Sequence, residues 1–463
     1  MKKGMFICCL LLLQISLSGQ IPQEVFEARR NALMAKIHDG IAILGAAFDE
    51  ESNRHEYHQD ALFRYFTGIN QPGIIIILHP AGEHKYSIFL PEQSLIARIY
   101  GGSRLSAQEL KQTYKADTVY SFRVFSEIMK RIAKPGVSIY RDPSNRFSEN
   151  ILTSLAKDGK LNKATMADLR PLTDEMRLIK DSTEIECLRK AINITCKALE
   201  DAYAVCKPGM YEYEIEAAIE YRFRKEGSPM PGYRSIIGSG PNATVLHYDQ
   251  NTRLMHNGDL LLMDVGAEWE GYSADVTRTI PVSGTFTKEQ EEIYQLVLKA
   301  EEEAIKYMVP GRGVLECHHR AADVICDGLY RLGLMTDPES LWQRKFYIIY
   351  RVNHWLGLDV HDVGSYGPAS EDYRTYMFNK EVKGRPLVPG MVSTIEPGLY
   401  FRPDGLQQLR EIAGNLATEK EIATFLEKVG PVYEKYKNIG IRIEDDVLIT
   451  SNGNEVLSSC IPK

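Results

Sequence analysis

Residues 260–282 read LLLMDVGAEWEGYSADVTRTIPV. Leu261 to Val265 is an apolar run of the buried-strand type, Ala267 to Gly271 is turn-like, and Ala274 to Val282 alternates, so the stretch predicts a β-hairpin. With the turn at Trp269-Glu270, Asp264 and Asp275 become cross-strand partners whose Cβ atoms stand about 5 Å apart. Two carboxylates opposed in an apolar sheet repel each other and are costly to bury, so something has to neutralise them. A divalent cation does so directly.

The pattern recurs further along. NGDLLLMDVG (257–266) and PGMVSTIEPG (389–398) each place a carboxylate six residues after a glycine, at the end of an apolar strand, with another glycine two residues on. KPGMYEYEIEAAI (207–219) and VPGRGVLECHHRAA (309–322) both read P-G-x-x-x-x-E ahead of a helix. The copies lie 102 and 132 residues apart. They predict two related α+β halves, each supplying one inward-facing acid, Asp264 and Glu396. In NIGIRIEDDVLIT (438–450) the alternation puts Arg442 and Glu444 on one face. Alone this is a surface strand with a salt bridge; beside the other acids it is a glutamate aimed into a shared site. YRVNHWLGLDVHDVG (350–364) carries His354 and His361 among glycines and bulky apolar residues. Taken by themselves these two histidines fit a core, a metal site or a catalytic pair.

The 463 residues suffice for two or three domains. Lys2 and Lys3 precede the apolar run MFICCLLLL (5–13) and the small polar residues of QISLSGQ, the pattern of a secretory signal peptide over residues 1–20. Nine apolar residues are too few to span a bilayer, which takes about 20. The expected product is exported, periplasmic or secreted, with no stable membrane insertion. Cleavage leaves 53 basic and 62 acidic side chains, a balance that argues against nucleic acid or an anionic membrane as partner. Six cysteines remain and none forms a C-x-x-C pair; they read as buried small hydrophobes, although an exported chain can oxidise a pair.

Residues 22 to about 165 mix strand and helix signals, with GIAILG (40–45), GIIIILHP (73–80) and KYSIFLPE (85–92) as strands. A boundary falls in ADLRPLTDEMRLIKDSTEIECLRKA (167–191), where a proline-marked linker enters a long helix capped by Asp181-Ser182-Thr183-Glu184. The expected division is 1–20, 21–168 and 169–463.

In order, DVGAEWEGYSADVTRT, HWLGLDVHDVG, MVSTIEPGLY and GIRIEDDVLIT resemble the signatures of the metallopeptidases with the pita-bread fold, and most closely the aminopeptidase P type. YHQDALFRYFTGINQPGIIIIL (57–78) is similar to the N-terminal domain of that family. The resemblance implies an α+β chain, with an α/β-type N-terminal domain followed by a duplicated α+β catalytic domain. It further implies Asp264, Asp275, His354, Glu396 and Glu444 as ligands of two divalent metal ions. Four carboxylates and one imidazole form a hard donor set that suits Mn²⁺. The implied reaction is hydrolysis of the Xaa-Pro bond at the N-terminus of proline-containing peptides by a metal-bridging hydroxide. Glu396 shuttles the proton, and His247, within SGPNATVLHY (239–248), and His361 contact substrate. Arg442 orients a ligating carboxylate, and assembly into a dimer or tetramer follows only by analogy. A prolidase acting on dipeptides, or a catalytically weakened peptide-binding member, is the alternative.

Two departures stand out. Where the family writes His-Gly-x-Ser-His, this chain has Tyr350-Arg351-Val352-Asn353-His354. Tyrosine has a pKa near 10 and does not readily carry a proton at neutral pH, so lowered or altered activity is expected from Tyr350 on the substrate side. LQQLREIAGNLATEKEIATFLEKVG (406–430) is a helical insertion, either a surface excursion or a border of the cleft.

Overall fold

The computed structural model describes residues 21–48, 57–161, 164–367 and 377–463. The signal-peptide reading of residues 1–20 lies outside them. Among the described residues no helix is long and apolar enough to cross a membrane.

The isoleucine-rich strands β1 (Ile41–Gly45) and β2 (Ile75–Leu78) are buried at every residue and form the middle of a six-stranded sheet. With β3 (Tyr86–Leu90), β4 (Thr118–Ser121), β5 (Ser138–Arg141) and β6 (Thr165–Asp168), the order is β4-β3-β2-β1-β5-β6. Around it lie α1 (Gln23–Ile37), α2 (Ala61–Thr67), α3 (Leu95–Gly101), α4 (Ala107–Thr113), α5 (Phe125–Ile132) and α6 (Arg146–Lys157). Successive residues of a strand face opposite sides. Ile41, Ile43, Ile75 and Ile77 therefore pack with α5 and α6, while Ala42, Leu44, Ile76 and Leu78 join a core that continues into the second part of the chain. Arg29 of α1 adds ion pairs across this junction, 3.0 Å from Asp181 and 3.2 Å from Glu184.

The second part begins with α7 (Arg170–Leu178), α8 (Ser182–Val205) and α9 (Glu212–Lys225), then β7 (Ile236–Ser239), β8 (Leu260–Val265), β9 (Glu268–Trp269), β10 (Tyr272–Ser273) and β11 (Val276–Pro281). It continues with α10 (Lys288–Ile305), α11 (Glu316–Arg331), α12 (Leu341–Tyr347), β12 (Val392–Ile395), β13 (Gly398–Tyr400), α13 (Gly405–Ala413), α14 (Glu419–Tyr436), β14 (Gly440–Arg442), β15 (Asp445–Thr450) and β16 (Gly453–Val456). Two antiparallel sheets, β11-β8-β7 and β12-β15-β16, carry the helix pairs α8/α9 and α10/α11.

The duplication is visible bond by bond. Gly209 N donates to Met255 O at 2.9 Å, and Gly311 N donates to Leu387 O at 2.9 Å. Tyr211 bridges Leu254 as Gly313 bridges Pro386. Each motif glutamate closes the first turn of its helix, Tyr211 N donating to Glu214 and Gly313 N to Glu316, both at 2.7 Å.

Three expectations are corrected. The hairpin turns at Glu270-Gly271, whose φ values of 51° and 84° give the two-residue turn that matches strand twist. Asp264 consequently pairs with Thr277, and Asp275 stands diagonal to Asp264 rather than opposite it. Cys196 and Cys460 form a disulfide between α8 and the C-terminal segment, whereas Cys187, Cys317 and Cys326 are buried free thiols. The insertion forms α13 and the start of α14, buries Leu409, Ile422, Phe425 and Val429, and stacks Phe425 edge-on to Trp342 of α12 at 5.0 Å. It contributes no residue to the cleft described below.

Candidate metal centre

The histidine segment is an added strand in all but name. Glu396 N donates to Val352 O (2.8 Å), Thr394 N to His354 O (2.9 Å) and Leu356 N to Val392 O (3.1 Å). This lays Val352 to Leu356 antiparallel along β12 and brings His354 beside Glu396. On its other side β12 pairs with β15, Ile395 opposite Asp445, so Glu396 and Glu444 lie together just past the ladder. Glu444 N in turn donates to Thr277 O at 3.1 Å, which hooks the second sheet onto the first, where Asp264 and Asp275 project.

The result is one cleft of about 740 Å³, lined by Asp264, Asp275, His354, Glu396 and Glu444 together with His247, Tyr350, His361 and Arg442. Every site residue named from the sequence is there. His354 Nε2 stands 3.3 Å from Asp275 Oδ2 and 3.6 Å from Glu396 Oε1. Asp275, His354 and Glu444 each present a ligand atom, all within 4.8 Å of one another. Thr277 Oγ1 donates to Glu444 Oε2 at 2.6 Å, and Arg442 pairs with Asp264. His354 Nδ1 lies 3.0 Å from the Trp355 carbonyl oxygen, which can only accept, so Nδ1 carries a proton and Nε2 faces the carboxylates.

Electrostatics test whether cations fit. Burial, then the neighbouring acids, pushes Glu444 well above the usual carboxylate range and raises Asp275. Burial also lifts Glu396 to about 7, with Asp275 and Asp264 adding to the rise against the pull of His354 and Arg442. Burial opposes charge on His354, but Asp275 and Glu396 outweigh it and hold its pKa up. Asp275, Glu396 and Glu444, all pushed toward protonation, are relieved by divalent cations, and the oxygen-rich set with one imidazole matches a hard ion. The residues fit the metal.

Histidine and tyrosine neighbours complete the cleft. The His361 ring lies 4.2 Å from that of His354, and burial, aided by His354, lowers its pKa to about 4, leaving it neutral. Tyr350 Oη donates to Glu396 O at 2.8 Å and meets Tyr400 Oη at 2.9 Å; Tyr400 accepts from Arg442 Nη1 at 2.8 Å. Burial pushes the Tyr350 phenol well above its usual pKa, so it stays protonated. The paired glycines of the two copies also find their reasons. A Cβ at Gly266 would collide with the Ala274 carbonyl, and one at Gly398 would lie 2.5 Å from Tyr400 Oη and 2.7 Å from Tyr350 Oη.

Against known proteins, residues 186–451 match metallopeptidase family M24 and residues 26–140 match the aminopeptidase P N-terminal domain. The chain belongs to metallopeptidase family M24.

Within M24 it is similar to an Xaa-Pro aminopeptidase of Escherichia coli K12, 34% identical over 464 residues and covering 96% of each chain. A solved aminopeptidase structure from Pseudomonas aeruginosa superposes with a TM-score of 0.83 at 34% identity, covering 96% of each chain. A human Xaa-Pro dipeptidase is 27% identical, over 96% of this chain and 92% of the relative. Sequence reading missed Tyr233, whose Oη lies 2.5 Å from Asp264 Oδ1 and 2.7 Å from Asp275 Oδ1 in this M24 cleft. Nothing in PGYRSIIG sets that tyrosine apart from an ordinary aromatic ahead of a strand. Thr277 was within reach, because it is two residues from Asp275 and therefore on the same strand face.

Proposed function

We propose that this chain is a metal-dependent Xaa-Pro aminopeptidase, releasing the N-terminal residue when proline follows it. The observation that carries this is the convergence of four carboxylates, three of them buried, and one imidazole from both halves on a single cleft. The Xaa-Pro aminopeptidase relative adds the substrate class.

Asp264, Asp275, His354, Glu396 and Glu444 would hold two divalent ions, Mn²⁺ by choice of donors. Bound there, such ions supply Lewis acidity and a nucleophile from water at neutral pH. The chain's own groups do the rest. Tyr233 and Arg442 orient Asp275 and Asp264, and Thr277 orients Glu444. Glu396 is placed to pass a proton to the leaving nitrogen. His361 and His247 line the cleft, where imidazole N–H groups stabilise charge developing on the scissile oxygen. Tyr350 gives its proton to a backbone carbonyl rather than to the cleft, which supports altered turnover as its consequence.

Export belongs to the same proposal, supported by the N-terminal pattern and by the Cys196–Cys460 disulfide, a pairing kept in oxidising compartments. Assembly into a dimer or tetramer has the resemblance alone behind it and is read by light scattering.

The test is the chain stripped of metal, reloaded with Mn²⁺ and offered an Xaa-Pro tripeptide and an Xaa-Pro dipeptide. Hydrolysis of the tripeptide that returns with bound metal is expected. Cleavage of the dipeptide alone makes the chain a prolidase, and bound metal without hydrolysis makes it a binding module.

A further inference from the structure

We infer that Asp362, gripped by Arg177 and Lys180, is the positioning residue that fixes the loop carrying His354 and His361. The segment joining the two parts of the chain is then a working part of the cleft rather than a linker. The inference rests on the reading of His361 as a substrate-side group.

The loop leaves β12's flank at His354 and closes on itself where Asp362 N donates to Trp355 O at 2.9 Å. His361 is the last residue before that closure. Both carboxylate oxygens of Asp362 are engaged from outside the loop, Oδ1 by Arg177 Nη2 at 2.6 Å and Oδ2 by Lys180 Nζ at 2.9 Å. The side chains of Asp362 and Lys180 are each 1% exposed and that of Arg177 is 5% exposed. Arg177 also reaches Asp359 Oδ2 at 2.7 Å, so the same guanidinium holds the loop at two points and the charges balance.

The cations are themselves anchored. Arg177 sits in the last turn of α7, and Lys180 N donates to Gly390 O at 2.8 Å, just ahead of β12. A Cβ at Gly357 would collide with Asp362 Oδ2 and lie 3.0 Å from Lys180 Cε, so the ion pair occupies the space that a side chain there would need. Replacing a buried ion pair by apolar groups is often neutral or stabilising, which makes stability a poor reason for this one. Two converging cations instead define a direction for the carboxylate, and through it the placement of the adjacent imidazole.

The experiment uses the full chain loaded with Mn²⁺, comparing wild type with Asp362→Asn and Lys180→Arg. Amide hydrogen exchange across residues 354–362 should quicken about tenfold in Asp362→Asn while α14 is unchanged. On an Xaa-Pro tripeptide, kcat should fall about 30-fold with KM within about threefold, as expected for lost positioning. Lys180→Arg, which keeps the charge, should leave both close to wild type. Wild-type exchange across 354–362 in Asp362→Asn overturns the inference, and so does an equal rise over the whole chain. If Asp362→Asn does not fold, the double variant Lys180→Met/Asp362→Leu removes the buried pair together, and wild-type exchange in it is equally fatal. A wild-type chain without Xaa-Pro activity, but with the expected exchange, sinks the functional reading and leaves the clamp standing.

Discussion

His318 of α11 is completely buried, with Nε2 2.9 Å from Met377 O and Nδ1 accepting from Val352 N at 3.3 Å. A carbonyl only accepts and an amide only donates, so Nε2 carries the proton and Nδ1 is bare. Burial, reinforced by His319, Arg351 and Arg344, lowers the pKa of this imidazole to about 3. In the unfolded chain it titrates near 6.5. Below that pH the unfolded chain takes up a proton that the folded chain refuses, so stability falls as the solution is acidified and the loss is complete only near pH 3. At pH 4.5, about two units below the unfolded value, the loss from this one group is about 2.7 kcal/mol. His318→Gln keeps a donor for Met377 O and has nothing to titrate. Urea midpoints at pH 7.5 and 4.5 should show wild type losing about 2–3 kcal/mol more than His318→Gln, since other titrating groups cancel between the two proteins. Equal losses would refute the reasoning. The effect lies next to the cleft, because the Val352 carbonyl receives the Glu396 amide.

Asp275→Ala should abolish tight Mn²⁺ binding in calorimetry and lower kcat/KM by about 10³-fold; metal lost with hydrolysis kept would end the mechanism. Tyr350→His returns an imidazole to the substrate side and should raise kcat/KM about tenfold, and unchanged kinetics would show that Tyr350 is not limiting. Tyr350→Phe leaves the Glu396 carbonyl without its donor and should cost about 1–3 kcal/mol in thermal or urea unfolding. Replacing Cys196 and Cys460 by alanine, or adding a dithiol to wild type, should remove about 2–5 kcal/mol, and a reductant-insensitive wild type would argue against the pairing.

The acids Asp264, Asp275, Glu396 and Glu444 were legible because each ends or begins a strand, and period-two alternation is written in consecutive residues. The repeated glycine spacing carried the duplication in the same local way, and the four motifs carried the family. Hairpin register already escaped this reading. Moving the turn from Trp269-Glu270 to Glu270-Gly271 puts Thr277 rather than Asp275 opposite Asp264, and positive φ at both turn residues decides it. More distant pairings left no trace at all. Cys196 with Cys460, separated by 264 residues, and Arg177 and Lys180 with Asp362 are contacts made only when the halves pack, and Tyr233 meets two aspartates only once the first half's sheet has folded. The 406–430 helices likewise found their place against α12 through apolar burial that any amphipathic helix offers to several surfaces. By itself the sequence determined the chemical inventory and the strands that present it. Tertiary structure decided which groups meet, because burial and charge neutralisation act on neighbours in space, whatever their distance along the chain.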